Sequence, residues 1–153
     1  MEQKTQAIDM IRETVNTQHG IQNESSVIDM LKTTTNNITR DETFYTYPLA
    51  DIMGTKYILC GRIDGLEYTQ DGSKRILEVK NRVRALFNRV RDYEMIQVQC
   101  YLKITGITSA RLVESFNNTI KSYDITRNDD DWNKISEKMS DFCKALHSEI
   151  SKN

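Results

Sequence analysis

Two strand-like arms that close on a tight turn constrain this chain more than any other feature. Gly61-Arg62-Ile63-Asp64-Gly65 and Ile76-Leu77-Glu78-Val79-Lys80 alternate apolar and polar residues, the period of a β-strand. Between them, Asp71-Gly72 is a hairpin signal, because Gly accepts the positive φ such turns require. Folding the arms about Asp71 sets Ile63 against Val79, Leu66 against Ile76, Glu67 against Arg75 and Asp64 against Glu78. Only Arg62 against Lys80 then opposes like charges. Opposed residues of an antiparallel pair share a face, with Cβ atoms about 4.5–5.5 Å apart. Lys80 falls on that face too, two residues beyond Glu78. Two carboxylates so placed repel unless a cation stands between them, and a hard divalent ion such as Mg²⁺ meets that need.

Composition narrows the setting. A chain of 153 residues, 38% apolar and 28% charged, suits one globular domain, read here as 1–153. No apolar run nears the roughly 20 residues of a membrane span, and the polar start Met-Glu-Gln-Lys-Thr lacks a signal-peptide core. The expectation is an intracellular protein without a membrane partner. Three scattered cysteines without Cys-x-x-Cys argue against zinc or an iron–sulfur cluster. Two histidines make His-based catalysis improbable. A net charge of −1 does not by itself indicate a polyanion binder, so any nucleic-acid case rests on local charge.

Local charge is present. Between 74 and 91 the chain carries seven bases (Lys74, Arg75, Lys80, Arg82, Arg84, Arg89 and Arg91) against the single acid Glu78. The bland reading is a solvated face. The alternative is that Lys74, Arg75, Arg82, Arg84, Arg89 and Arg91 track a phosphate backbone approaching the metal site.

Helical periodicity predicts a first helix at 5–18, broken by His19-Gly20. A second is predicted at about 22–35, with Val27, Ile28 and Leu31 on one stripe. Glu24 shares that stripe. Either it sits near the helix start, where the dipole favours anions, or it is directed at a cation. Residues 33–42 read as loop, Phe44 to Tyr47 as a short strand closed by Pro48, and Tyr57 to Asp64 and Lys74 to Lys80 as the central hairpin. A helix over about 90–105 places Tyr93, Gln97, Cys100, Tyr101 and Ile104 on one face. Ala110 to Phe116 and Thr119 to Ile125 read as strands around Asn117-Asn118, with Glu114 opposite Lys121 and Leu112 opposite Tyr123. Asp129, Asp130 and Asp131 suit the first turn of a last helix. Its stripe of Trp132, Ile135, Met139, Phe142, Leu146 and Ile150 is expected to pack on the core.

An Asp on one strand followed by Glu-x-Lys on the next resembles the PD-(D/E)XK nuclease core, with Ile63 in place of the Pro. Gly20-x-x-x-Glu24 is similar to the Gly-x-x-x-Glu helix of the lambda-exonuclease or YqaJ branch. Gln97-x-x-x-Tyr101 resembles the Gln-x-x-x-Tyr helix that follows Glu-x-Lys in RecB-type relatives. The resemblance covers about residues 19–125. It implies an α/β, restriction-endonuclease-like fold with a central mixed β-sheet flanked by helices. It also implies Mg²⁺ (or Mn²⁺), one or two ions, held by Asp64, Glu78, the Val79 carbonyl and Glu24. Lys80 would orient or deprotonate water, or offset developing charge, while Gln97 and Tyr101 position groups around it. The function implied is a metal-dependent DNA nuclease, most simply an exonuclease acting on DNA ends in recombination, repair or replication, in a phage or viral setting. An endonuclease with the same site, or a non-catalytic nucleic-acid-binding subunit, stays open. DNA is the expected partner, and homo-oligomer formation is also left open.

Overall fold

The computed structural model describes residues 24–33 and 37–152. The helix expected at 5–18, its His19-Gly20 break and Gly20 of the Gly-x-x-x-Glu motif lie outside the described residues, as do residues 34–36.

Residues 24–33 are helical (α1). There follow β1 (Ile38–Arg40), β2 (Tyr45–Ile52), β3 (Thr55–Gly61), β4 (Gly65–Tyr68), β5 (Lys74–Asn81), α2 (Asp92–Thr105), β6 (Ser109–Phe116), β7 (Thr119–Thr126) and α3 (Asp129–Ile150). Five strands form one mixed sheet in the order β1-β4-β5-β6-β7, and β2 pairs with β3 in a separate two-stranded ribbon. Within the large sheet only β5 and β6 run parallel, so α2 is the crossover between them. The expected α/β architecture is what the chain adopts.

Alternation along β5 divides the core in two. On one face Leu77 and Val79 pack with Val27, Ile28 and Leu31 of α1, Ile38 and Val113. On the other Ile76 packs with Val98 and Leu102 of α2, Ile63, Ala110, Leu112 and Ile125. Glu78 and Lys80, in step with Ile76, therefore point to the α2 side.

The hairpin register holds for Leu66 opposite Ile76 and Glu67 opposite Arg75, and the ladder stops at Gly65 opposite Leu77. The longer pairing expected from the alternation is corrected here. Ile63 and Val79 belong to cores on opposite faces. Arg62 is exposed and lies 5.7 Å above the Phe44 ring. The expected single strand from Tyr57 to Asp64 is divided, because β3 spends its hydrogen bonds on β2. Its turn falls at Met53-Gly54, both at positive φ (52° and 86°), with no Asn-Gly or Asp-Gly to announce it. Pro48 does not close β2 either. The register shifts between Pro48 and Ala50, a bulge where a residue without an N–H is tolerated. The supposed loop at 33–42 contains β1, whose three residues pair with β4.

The Glu114–Lys121 and Leu112–Tyr123 pairings form as expected about Asn117-Asn118, both at positive φ. In α3, the Asn128 side chain accepts from the N–H groups of Asp130 and Asp131, capping a first turn rich in Asp. Trp132 is buried edge-on to Tyr47. The stripe beyond it is corrected: Cys143 turns inward, while Phe142 and Ile150 stay 66% and 58% exposed.

Gly65 lets β1 and β4 approach closely. A Cβ there would stand 2.8 Å from the Thr39 carbonyl oxygen of β1, a backbone atom that cannot swing aside. Gly65→Ala should therefore lower stability by about 1–3 kcal/mol, the cost of overpacking a close-packed position. Denaturant melts check this, with a lowered midpoint and an unchanged slope as the expected result.

Candidate active site

The site forms where β4 has left the sheet and β5 continues. The Val79 N–H, without a strand partner one residue before β4 begins, donates to Asp64 Oδ2 at 2.7 Å. The N–H and C=O of a strand residue point to the same side, so the Val79 carbonyl faces the same gap. Asp64 thus reaches β5 with its side chain, not as the cross-strand neighbour of Glu78 that the alternation suggested.

Glu78 is 3% exposed. Its Oε1 accepts from Lys80 Nζ at 2.7 Å, whereas Oε2 is buried with no hydrogen-bond partner among the described residues. Burial, and after it the charge of Asp64, pushes its carboxyl from 4.5 up to about 8, against the pull of Lys80. Asp64 is raised by burial despite its bond from Val79 and the nearby ammonium. Glu24 is raised by burial and then by Asp64, and Lys80 partly offsets this. Although α1 covers the face opposite α2, Glu24 is near enough to Asp64 and Lys80 for their charges to act on it. The expected burial of its stripe is found at Val27, Ile28 and Leu31.

Lys80 links this cluster to α2. Its Nζ donates to Gln97 Oε1 at 2.8 Å, and Gln97 Nε2 donates to Tyr101 OH at 3.0 Å. Burial disfavours the ammonium, but Glu78, Asp64 and Tyr101 outweigh it and hold its pKa above 10.5. The Tyr101 ring lies against Gly61, where an added Cβ would stand 2.8 Å from Cε1. Sequence reading passed over Gly61, although a lone glycine inside a strand pattern signals such an approach.

The donor set suits a hard divalent ion: buried carboxylates, one with an unsatisfied oxygen, beside a strand carbonyl. It is not a closed cage. Among the described residues no three His, Cys, Asp or Glu side chains converge closely enough to hold a metal by themselves.

The bases fall into three groups. Arg84 and Arg89 are exposed in the loop 82–91, and Arg91 is half-buried with its guanidinium 4.3 Å from the Phe87 ring centroid. Lys74 is exposed, and Arg75 is tied to Glu67 and Asp124. Both begin β5, so at about 3.3 Å per residue Lys74 stands about 20 Å from Lys80. Arg82 is corrected as a phosphate contact. Its side chain is 7% exposed and its guanidinium is committed to Glu94 and Glu114. A run of bases in sequence says nothing of which ones turn inward.

Two expectations about stability follow. Glu78 has a folded pKa above its unfolded one, so its contribution is fully present below about pH 4.5 and is lost as pH rises through about 8. Melting of the metal-free protein should fall across that window, and Glu78→Gln should flatten most of the fall. An unchanged profile in that variant assigns the dependence to other groups. Gly61→Ala should cost about 1–3 kcal/mol by displacing the Tyr101 ring. In a Tyr101→Ala background most of that cost should vanish, a coupling of about 0.5–3 kcal/mol in a double-mutant cycle of melts.

Comparison with known proteins gives the arrangement its relatives. The fold is similar to an alkaline exonuclease, LHK-Exo, from Laribacter hongkongensis, at 18% identity and a TM-score of 0.64, over 89% of this chain and 71% of that one. It is similar to LHK-Exo in complex with dAMP, at 20% identity and a TM-score of 0.64, over 88% of this chain and 70% of that one. A third match, SSO0001, has 20% identity and a TM-score of 0.63 over 80% of this chain, which spans 57% of the length of SSO0001. At these identities the likeness is one of fold. No curated protein matches the sequence. Residues 1–108 match the YqaJ-like viral recombinase domain, so the chain belongs to that family, a branch of the PD-(D/E)XK superfamily.

Proposed function

We propose that this chain is a metal-dependent DNA nuclease, one nuclease domain over residues 1–153, that degrades DNA from its ends. The observation that carries the reading is Glu78: a carboxylate buried on a central strand, with one oxygen on Lys80 and the other without a hydrogen-bond partner among the described residues. Burial of that kind is costly unless a cation completes it. Family membership and the likeness to an alkaline exonuclease support end-directed cutting.

Asp64, Glu78 and the Val79 carbonyl would hold one Mg²⁺ or Mn²⁺, and Glu24 would complete that site or hold a second ion. Bound there, the ion would acidify a water and neutralise charge on the phosphate. Glu78, Asp64 and Tyr101 favour the ammonium form of Lys80. In that form it suits holding a water or meeting charge that develops on the phosphate. Gln97 fixes the lysine, and Tyr101 fixes Gln97. Arg84 and Arg89 are exposed in the loop that follows β5, and they would contact the DNA backbone. A homo-oligomer is compatible with this reading, and nothing in the proposed chemistry requires one.

The test compares end-labelled linear DNA with closed circular DNA, with and without Mg²⁺ or Mn²⁺. Loss of the linear form alone, abolished by chelation, is the expected result. Asp64→Asn should reduce cleavage at least about 100-fold, since even indirect partners of a metal are worth 10–100-fold. Nicking of the circle would instead favour internal cutting. DNA binding with no cleavage under any metal would leave only a binding subunit.

A further inference from the structure

Ten residues separate β5 from α2 without a helix or strand of their own, and this loop, 82–91, is held from beneath by two buried acids. Glu114 on β6 is 0% exposed. Its Oε1 accepts from the Asn88 N–H at 2.9 Å and the Tyr123 hydroxyl at 2.8 Å. Its Oε2 accepts from the Phe87 N–H at 2.9 Å and Arg82 Nε at 3.0 Å. Glu94 on α2, also 0% exposed, accepts from Arg82 Nη1 at 2.6 Å and from the Arg91 N–H at 3.0 Å. The guanidinium carbons of Arg82 and Arg91 both stack over the Phe87 ring, 3.9 and 4.3 Å from its centroid.

The loop's shape is unusual in a way that fits this anchoring. Asn88 has a φ of 57°, the left-handed region, and the consecutive N–H groups of Phe87 and Asn88 converge on one carboxylate. Successive amides turned this way form an anion-binding concavity, here filled from inside the protein. A chain segment whose Phe87, Asn88 and Arg91 amides and Arg82 guanidinium are all bound from beneath has few shapes left. What it presents outward is Val83, Arg84, Ala85, Asn88 and Arg89, which are exposed. Side chains on a loop fixed beforehand lose less freedom on binding than side chains on one that must be ordered.

We propose that Glu114 is a positioning residue for DNA binding: through the Phe87 and Asn88 amides it fixes the 82–91 loop in the shape that presents Arg84 and Arg89 to the phosphate backbone. This rests on the nuclease reading above. Glu114 lies beyond the residues that match the family, on β6 opposite Lys80.

The test is a cycle of salt titrations, with binding of labelled duplex DNA followed by anisotropy in chelator so that no cleavage intervenes. Arg84→Gln with Arg89→Gln should lower the log–log salt slope by about 0.9 for each arginine that no longer meets a phosphate, roughly two in all. Glu114→Gln sets an amide donor against the loop's own donors and should lower the slope by at least the share of one arginine, about 0.9. Added to the two arginine changes, it should lower the slope no further. Asn88→Val gives the same test from the surface, because a β-branched residue resists positive φ, and it leaves the buried carboxylate in place should Glu114→Gln fail to fold. Tyr123→Phe, which removes a donor to Glu114 but leaves the loop's own bonds intact, should keep the full slope. Additive losses, or a full slope in both Glu114→Gln and Asn88→Val while the arginine changes lower it, would overturn the proposal. A native protein that neither binds nor cuts DNA would overturn the nuclease reading itself.

Discussion

A buried carboxylate with one oxygen unsatisfied is the constraint around which this protein is arranged. Isolated in a low-dielectric interior, an ionised Glu78 is unfavourable, and Asp64 beside it makes it more so. The rest of the structure must hold it there regardless. Burial on both faces of β5 does this: Ile76, Leu77 and Leu112 are fully enclosed, so the strand cannot rotate its acidic residue into solvent. The gap left by β4 gives Asp64 and Glu24 a way to approach, and α2 supplies Gln97 to hold the lysine. Stability is given up at one point because the surrounding packing can bear it.

The second buried acidic cluster stands beside the first on the same sheet, with Glu114 of β6 opposite Lys80 of β5, and shows that burial alone does not produce such a site. Burial also works against charge on Glu114 and Glu94, yet hydrogen bonds prevail. Tyr123, the Phe87 and Asn88 amides and Arg82 hold Glu114 below its usual range. Arg82 and the Arg91 amide do the same for Glu94. Every oxygen there has a donor. The two clusters contain the same residue type at comparable depth and differ in satisfaction. A satisfied network of this kind fixes a shape, whereas an unsatisfied carboxylate is free to take up a ligand.

Much of this was legible from the residues, and the parts that were not have physical reasons. Alternation and turn chemistry located β5, the β6–β7 pair and their registers, because those strands obey the period of two and turn at residues that accept positive φ. Spacing alone placed Gln97 and Tyr101 on one face of α2 and Glu24 on the stripe of α1. Periodicity failed where two strands run through one continuous pattern. Residues 57–64 read as one uninterrupted strand-like run, yet β3 pairs with β2 and the chain then bends at Arg62–Asp64 before β4 begins. No local signal separates those pairings. The same limit explains Arg82: four arginines in a short basic stretch look alike, and only the fold places Glu94 and Glu114 beneath one of them.

The match to the family covers residues 1–108 and so contains the whole candidate site, but the site does not stand on those residues alone. β5 has β6 as its parallel neighbour, and Glu78 is set opposite Leu112. Without β6 the central strand would become an edge, and Glu78 would gain access to water. Its raised pKa, which depends first on burial, would then relax. Gln99 on α2 binds the Thr126 carbonyl at 2.9 Å and accepts from the Asn128 N–H at 2.9 Å, fastening the helix that carries Gln97 to the β7–α3 junction. The motif residues supply the chemistry, and the strands beyond them supply the low dielectric and the fixed helix that the chemistry requires.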